Sequence, residues 1–191
     1  LGLGESHDGI LALPTDAPTG MPAAEYLKIT NDSIIEIGLT PNRTDAMCHI
    51  GVARDLRAGL LRQDVQTTLK FPSVESFKVA NTQRVIPVKI ENGDACGHYF
   101  GLTISGVEVK GSPDWLKTKL NSIGLSPVNN IVDITNFVLH ETGHPLHAFD
   151  ADVISGDKIF VKNLEAGTKF VTLDEKEREL HEDDLMICDS E

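Results

Sequence analysis

Apolar and polar positions alternate with two different periods along this chain, and the change of period divides it. Ala46, Ile50, Ala53, Leu56 and Leu60 recur every three or four residues, the spacing of one helix face. Thr44 is a suitable N-cap and Asp45 suits the first turn, so a helix is expected from there. Before it, Ile34-Ile35-Glu36-Ile37 reads as a short strand, followed by the turn-forming Thr40-Pro41-Asn42-Arg43. Residues 1–32 are rich in Gly, Pro, Asp and Thr and read mostly as loop; 63–84 are polar and mixed, and read as a linker.

From Val85 the texture becomes that of strands: Val85–Ile90, His98–Ile104, Val107–Val109, Lys158–Val161, Lys169–Leu173 and Asp184–Ile187. Two helices interrupt them. The first has Ser112 as N-cap, Pro113 at its first position, Trp115, Leu116, Leu120 and Ile123 inward, and Gly124 as its stop. The second runs from about Asn130 to His140 with Ile131, Ile134, Phe137 and Val138 on one side. That mixed order predicts an α+β fold, not a doubly wound sheet.

Composition changes this picture in three respects. No apolar run approaches the ~20 residues of a membrane helix, and the opening LGLGESHDG lacks the basic start and apolar core of a signal peptide. Cys48, Cys96 and Cys188 are scattered, with no CxxC pair, which fits reduced thiols better than a disulfide framework or a cysteine zinc site. Net charge is −12, from 29 acids against 17 bases, so a generic polyanion binder is not indicated. A start at Leu1 without Met, and a stop just after a strand-like run, predict a piece of a longer chain.

Four motifs carry candidate chemistry. His140-Glu141-Thr142-Gly143-His144 has the H-E-x-x-H spacing of zinc hydrolases. Gly143 is a natural helix terminator and Pro145 disfavours helical geometry at His144, so the helix is expected to fail inside the motif and no metal is assigned. His147, beside Phe149 and Asp150, suits either a turn cap or a proton shuttle and substrate ligand. The run Asn129-Asn130-Ile131-Val132-Asp133-Ile134-Thr135-Asn136 places short polar residues on an expected helix at a cost in propensity. Either some of them make buried, specific hydrogen bonds, or they only stitch the helix to its neighbours. Thr40–Asp45 is either a phosphate-binding turn at a helix N-terminus or a purely structural turn, with Asn42 and Asp45 as its shaping residues.

Two longer motifs are far more specific. Glu36-Ile37-Gly38-Leu39-Thr40-Pro41-Asn42-Arg43-Thr44-Asp45 with Ile50-Gly51-Val52-Ala53-Arg54-Asp55-Leu56 is one. Ser112-Pro113-Asp114-Trp115-Leu116, continued by Val128 through Asn136 to His147-Ala148-Phe149-Asp150, is the other. Together they resemble the β subunit of bacterial phenylalanyl-tRNA synthetases, across nearly the whole chain.

The resemblance implies the tail of an OB-type tRNA-binding insert over residues 1–25 and a small interrupted α/β domain over 26–70. A linker over 71–84 and the N-terminal half of the tRNA-editing domain over 85–191 would follow. It implies a part of a ligase that hydrolyses tyrosine mistakenly attached to tRNA(Phe), with aminoacylation on the α subunit. The isolated piece is expected to be inactive. His147 is then the expected catalytic residue, orienting water; Thr135 and Asn136 line the amino acid's site, and Leu173 touches its side chain. No cofactor is expected on these residues, whereas ATP and Mg belong to the whole enzyme. The implied partners are tRNA(Phe) and the α subunit in an α2β2 assembly, in the cytoplasm and without a membrane. A non-catalytic scaffold for subunit and tRNA assembly is the alternative, and a zinc hydrolase the remote one.

Overall fold

The computed structural model describes residues 9, 12–29, 32–172 and 175–191. Its contacts divide the chain into two compact units, each made from two segments: residues 1–69 with 109–146, and 70–108 with 147–191. The first is helical and the second is built on strands, so the expected α+β class holds.

The first unit contains α1 (Ala23–Tyr26), α2 (His49–Leu61), α3 (Asp114–Ser122) and α4 (Asn130–Thr142), and both α2 and α3 pack against α4. Its buried apolar side chains are Ala46, Leu116 and Leu120. Leu116 and Leu120 lie four residues apart on α3 and therefore share one face. The N–H of Gly124 (φ +83°) bonds the Asn121 carbonyl, closing that helix as expected.

The start of α2 differs from the sequence expectation. Thr44–Ala46 form one 3-10 turn, and the α-helix begins only at His49, with Cys48 as its N-cap. The Cys48 sulfur accepts from the Gly51 N–H at 3.3 Å. A methyl group on Gly51 would stand 2.1 Å from the Asp45 carbonyl oxygen, so a glycine lets the 3-10 turn fold tightly against the first turn of α2. Leu56, expected inward, is exposed.

Other elements also depart from expectation. Pro113 takes the N-cap position of α3, not its first helical position, because the Ser112 side chain is committed elsewhere. Trp115 is 59% exposed and meets Phe137 edge-on at 5.6 Å. Ile123 and Ile134 are 38% and 49% exposed instead of buried, and α4 continues two residues past His140.

The second unit holds β1 (Val88–Ile90), β2 (Ile159–Asn163) and β5 (Leu185–Cys188) in one sheet, ordered β1-β2-β5. The pair β1–β2 is parallel, with Lys89 opposite Phe160; β2–β5 is antiparallel, with Phe160 opposite Cys188. A parallel pair needs a long connection, and here the chain between β1 and β2 includes α3 and α4. Successive side chains of β2 alternate faces, so Ile159 and Val161 enter the core while Phe160 and Lys162 face outward. A separate hairpin pairs β3 (Lys169–Val171) with β4 (Glu177–Glu179), and Leu180 is buried just after it. The β4 strand, Glu-Arg-Glu, has no apolar alternation to announce it.

Three expected strands are not formed among the described residues: Ile34–Ile37, His98–Ile104 and Val107–Val109. A strand needs a partner for its backbone groups as well as alternating side chains, and no described segment pairs with these. Phe100 is accordingly 86% exposed. The expected Lys169–Leu173 strand ends at Val171, and Leu173 lies outside the described residues. Among the described residues no helix is long and apolar enough to cross a membrane.

Two glycines of α2 give a paired prediction. Gly51→Ala forces a clash with backbone and lowers stability by about 1–3 kcal/mol. Gly59→Ala meets open space inside the same helix and raises stability by about 0.5–1 kcal/mol. Urea midpoints of the two variants moving in the same direction would contradict this packing.

Candidate functional site

The run from Asn129 to Asn136 separates into residues that build a frame and one that does not. Asn129 is the N-cap of α4, and its Oδ1 accepts from the N–H groups of Ile131 and Val132, both at 3.0 Å. Asn130 joins α4 to the segment before α3: its N–H donates to the Lys110 carbonyl at 2.8 Å, and its Oδ1 accepts from the Lys110 N–H at 3.1 Å. Asp133 has no solvent exposure, and its two oxygens take different donors. One accepts from the Ser112 hydroxyl and the other from the Val128 N–H at 2.9 Å.

Thr135 returns its hydroxyl to the Val132 carbonyl at 2.8 Å, a bond internal to the helix. The half-buried Asn136 amide makes no hydrogen bond with any described residue. Buried specific bonds and stitching are therefore the same bonds, made by Asn129, Asn130 and Asp133, and Asn136 stands apart from them.

His147 belongs to the second unit and is exposed, whereas Thr135 and Asn136 belong to the first. Its imidazole makes no hydrogen bond with a described residue, so the turn-capping role has no bond to support it. Its ring contact is with Phe149, near-parallel (20°) at 6.5 Å between centroids. Leu173 lies outside the described residues. An open concavity of about 530 Å³ in the second unit is lined by Phe170, Thr172, Arg178, Leu180, His181 and Met186, among others; none of the expected site residues lines it.

The H-E-x-x-H segment behaves as its glycine and proline predict. Helix α4 carries His140 and Glu141 but stops at Thr142, and Gly143 turns left-handed at φ +80°. The His144 N–H then bonds the Thr142 hydroxyl at 3.2 Å, off the helix, so His140 and His144 do not share a helix face. The His140 carbonyl accepts from His49 Nδ1 at 2.8 Å, tying the end of α4 to the start of α2. Among the described residues no three His, Cys, Asp or Glu side chains converge as metal ligands.

The Thr40–Asp45 turn is structural. Thr40 Oγ1 donates to Asn42 Oδ1 at 2.6 Å, and the Arg43 N–H closes the turn on the Thr40 carbonyl at 2.9 Å. The Arg43 guanidinium grips Asp45 with two bonds (3.0 and 3.1 Å) and reaches Asp55 at 2.5 Å. These bonds, that to Asp45 first, raise the Arg43 pKa above its ordinary range and hold the Asp45 carboxyl below its own. A phosphate would have to displace two carboxylates, and α2 begins at His49 and not at this turn.

Sequence reasoning missed Ser112 as the partner of Asp133 and assigned it to helix capping instead. Pairing across 21 residues has no local signature. It also missed a group of lysines around Phe160, which comes from strand register.

The frame predicts a graded response at position 133. Asp133→Ala leaves the Ser112 hydroxyl and Val128 N–H without acceptors and lowers stability by about 2–4 kcal/mol. Asp133→Asn keeps one acceptor and can donate to Ser112 Oγ, so it costs roughly 1 kcal/mol. Equal denaturation midpoints for the two variants would contradict the assignment of separate donors to the two oxygens.

The profile of the B3/4 domain family matches residues 95–191. Along its whole length the chain is 52% identical to the phenylalanine–tRNA ligase beta subunit of Bacteroides thetaiotaomicron. It is 53% identical to that of Porphyromonas gingivalis and 46% to that of Geobacter metallireducens, again over the whole chain. In each case it covers 23% of the relative, so it spans about a quarter of the proteins it matches. The resemblance read from the sequence is thereby borne out.

Proposed function

The chain belongs to the B3/4 domain family, and from that premise we propose that it is part of a phenylalanine–tRNA ligase β subunit and acts in hydrolytic editing of Tyr-tRNA(Phe). The observation that carries this reading is the end-to-end likeness to proteins named as that subunit. In the same reading, residues 1–25 are the tail of an OB-type insert, 26–70 a small interrupted domain, 71–84 a linker and 85–191 the first half of the editing domain. The partners are tRNA(Phe) and the α subunit of an α2β2 enzyme in the cytoplasm, with ATP and Mg serving aminoacylation on the α subunit.

The chemistry follows from a limit on selectivity. An apolar pocket made for phenylalanine rejects an added hydroxyl poorly, so a second site has to read that hydroxyl and cut the product. The cut is ester hydrolysis: water attacks the tyrosyl carbonyl, and the ribose hydroxyl leaves with a proton. Asn136 and His147 bind the polar end of the amino acid, Thr135 lines the site, Leu173 touches the side chain, and His147 orients the water.

Two features support these roles. The Asn136 amide gives up no hydrogen bond with a described residue, and the His147 imidazole is likewise uncommitted among them, beside Phe149. Thr135, whose hydroxyl is held by its own helix, suits a lining role better than proton transfer.

His147→Ala in the full-length heteromeric enzyme should slow deacylation of Tyr-tRNA(Phe) by about 10- to 100-fold, the equivalent of roughly 1–3 kcal/mol. Phenylalanine attachment should be nearly unchanged. A folded variant that clears Tyr-tRNA(Phe) at the unmodified rate would remove His147 from the site. If the unmodified enzyme leaves Tyr-tRNA(Phe) intact, the chain scaffolds subunit and tRNA assembly instead.

A further inference from the structure

One face of the β1-β2-β5 sheet is not explained by packing. Register and alternation place Lys89 of β1 and Phe160 and Lys162 of β2 on the face opposite buried Ile159 and Val161. Lys158, just before β2, joins them. The three ammonium nitrogens stand 5.9 Å (Lys89), 5.8 Å (Lys158) and 5.5 Å (Lys162) from the centroid of the Phe160 ring.

We propose that this face is a contact for an RNA backbone, with the ammonium groups of Lys89, Lys158 and Lys162 taking up phosphates around Phe160. The proposal rests on the reading that the chain acts on an aminoacyl-tRNA, which names the polyanion; the surface itself is argued from charge.

The chain as a whole carries 29 acids and 17 bases, so three bases gathered on one ring run against its composition. Elsewhere in the same unit Arg84 is neutralised by Asp152 and Asp157 and Lys169 by Glu177, while Lys70 and Lys78 form no ion pair among the described residues but are not gathered on one ring. Here Glu91 pairs with Lys89 at 2.9 Å, and that hydrogen bond, with the positive charges of Lys89 and Lys162, holds its carboxyl below the ordinary range. Lys158 forms no ion pair among the described residues, so one carboxylate faces three ammonium groups. Strand β5 contributes neutral side chains opposite them, Met186 across from Lys162 and Cys188 across from Phe160.

Three cations this close repel one another, and at physiological salt screening relieves only part of that cost. Contact with the negative face of the ring offsets some of it and restrains the flexible ends of the side chains. The result is a positive patch that Glu91 offsets only in part, complementary to successive phosphates and indifferent to base sequence.

The test is the salt dependence of binding between the full-length enzyme and a tRNA(Phe) transcript. Lys89→Gln, Lys158→Gln and Lys162→Gln are combined in one variant, and a control combines Lys70→Gln, Lys78→Gln and Lys169→Gln. The first should lose about 2–3 from the slope of log affinity against log salt, near 0.7–0.9 per phosphate contact, and the control should keep its slope. In the unmodified enzyme, bound tRNA should also protect the three lysines from an amine-reactive label.

An unchanged slope, or an equal loss in the control, overturns the proposal. So does failure of the three lysines to label in the free enzyme, because the face would then be covered by protein. The editing reading is judged separately, by deacylation. An enzyme that binds tRNA through these lysines yet leaves Tyr-tRNA(Phe) intact keeps the surface and loses the editing role.

Discussion

A single buried carboxylate organises the helical unit. Asp133 is fully enclosed at the first turn of α4, and each of its oxygens takes a donor from a different stretch of chain. Unpaired, a carboxylate in that position would be costly to bury; paired, it ties Ser112 and Val128 to α4. Asn129 caps the same helix and Asn130 binds the Lys110 backbone in both directions, so the helix start is held from several sides. At the other end, the His140 carbonyl takes a bond from His49 and Gly143 closes the helix. Helix α4 is thus fixed at both termini, and the side chains along it have defined places.

That framing bears on function by elimination. Asn129, Asn130 and Asp133 hold the helix, and Thr135 bonds its own backbone. The Asn136 amide remains half-buried and makes no hydrogen bond with a described residue that a ligand would have to break. His147 shows the same economy in the second unit, where its ring lies against Phe149. A polar group that gives up no internal bond on binding avoids that cost, which favours these two side chains as ligands of the aminoacyl end in the proposed reaction.

Much of this was legible in the sequence where the determinants are local. The helices around Leu116–Leu120 and after Asn129, the stops at Gly124 and Gly143, and the break in H-E-x-x-H all follow from spacing, capping and proline chemistry. Where structure depends on distant partners, sequence reasoning failed. The alternation in 98–109 promised strands, but no described segment supplies the ladder. Ser112 looked like a helix cap until Asp133 claimed its hydroxyl. Thr44 looked like the start of α2, but tight packing at Gly51 moved that start to His49. The site residues themselves stood out through family resemblance. Their chemistry alone left His147 and the Asn-rich run open to structural explanations.

The most direct measurement is a crystal structure of the full-length enzyme with tyrosine joined by a non-hydrolysable amide to the terminal adenosine. The account predicts that the tyrosyl amino and carbonyl groups lie within hydrogen-bond distance of Asn136 and His147, with the α4 frame around Asp133 unchanged. Tyrosine seated elsewhere, with neither Asn136 nor His147 in contact with it, would contradict it.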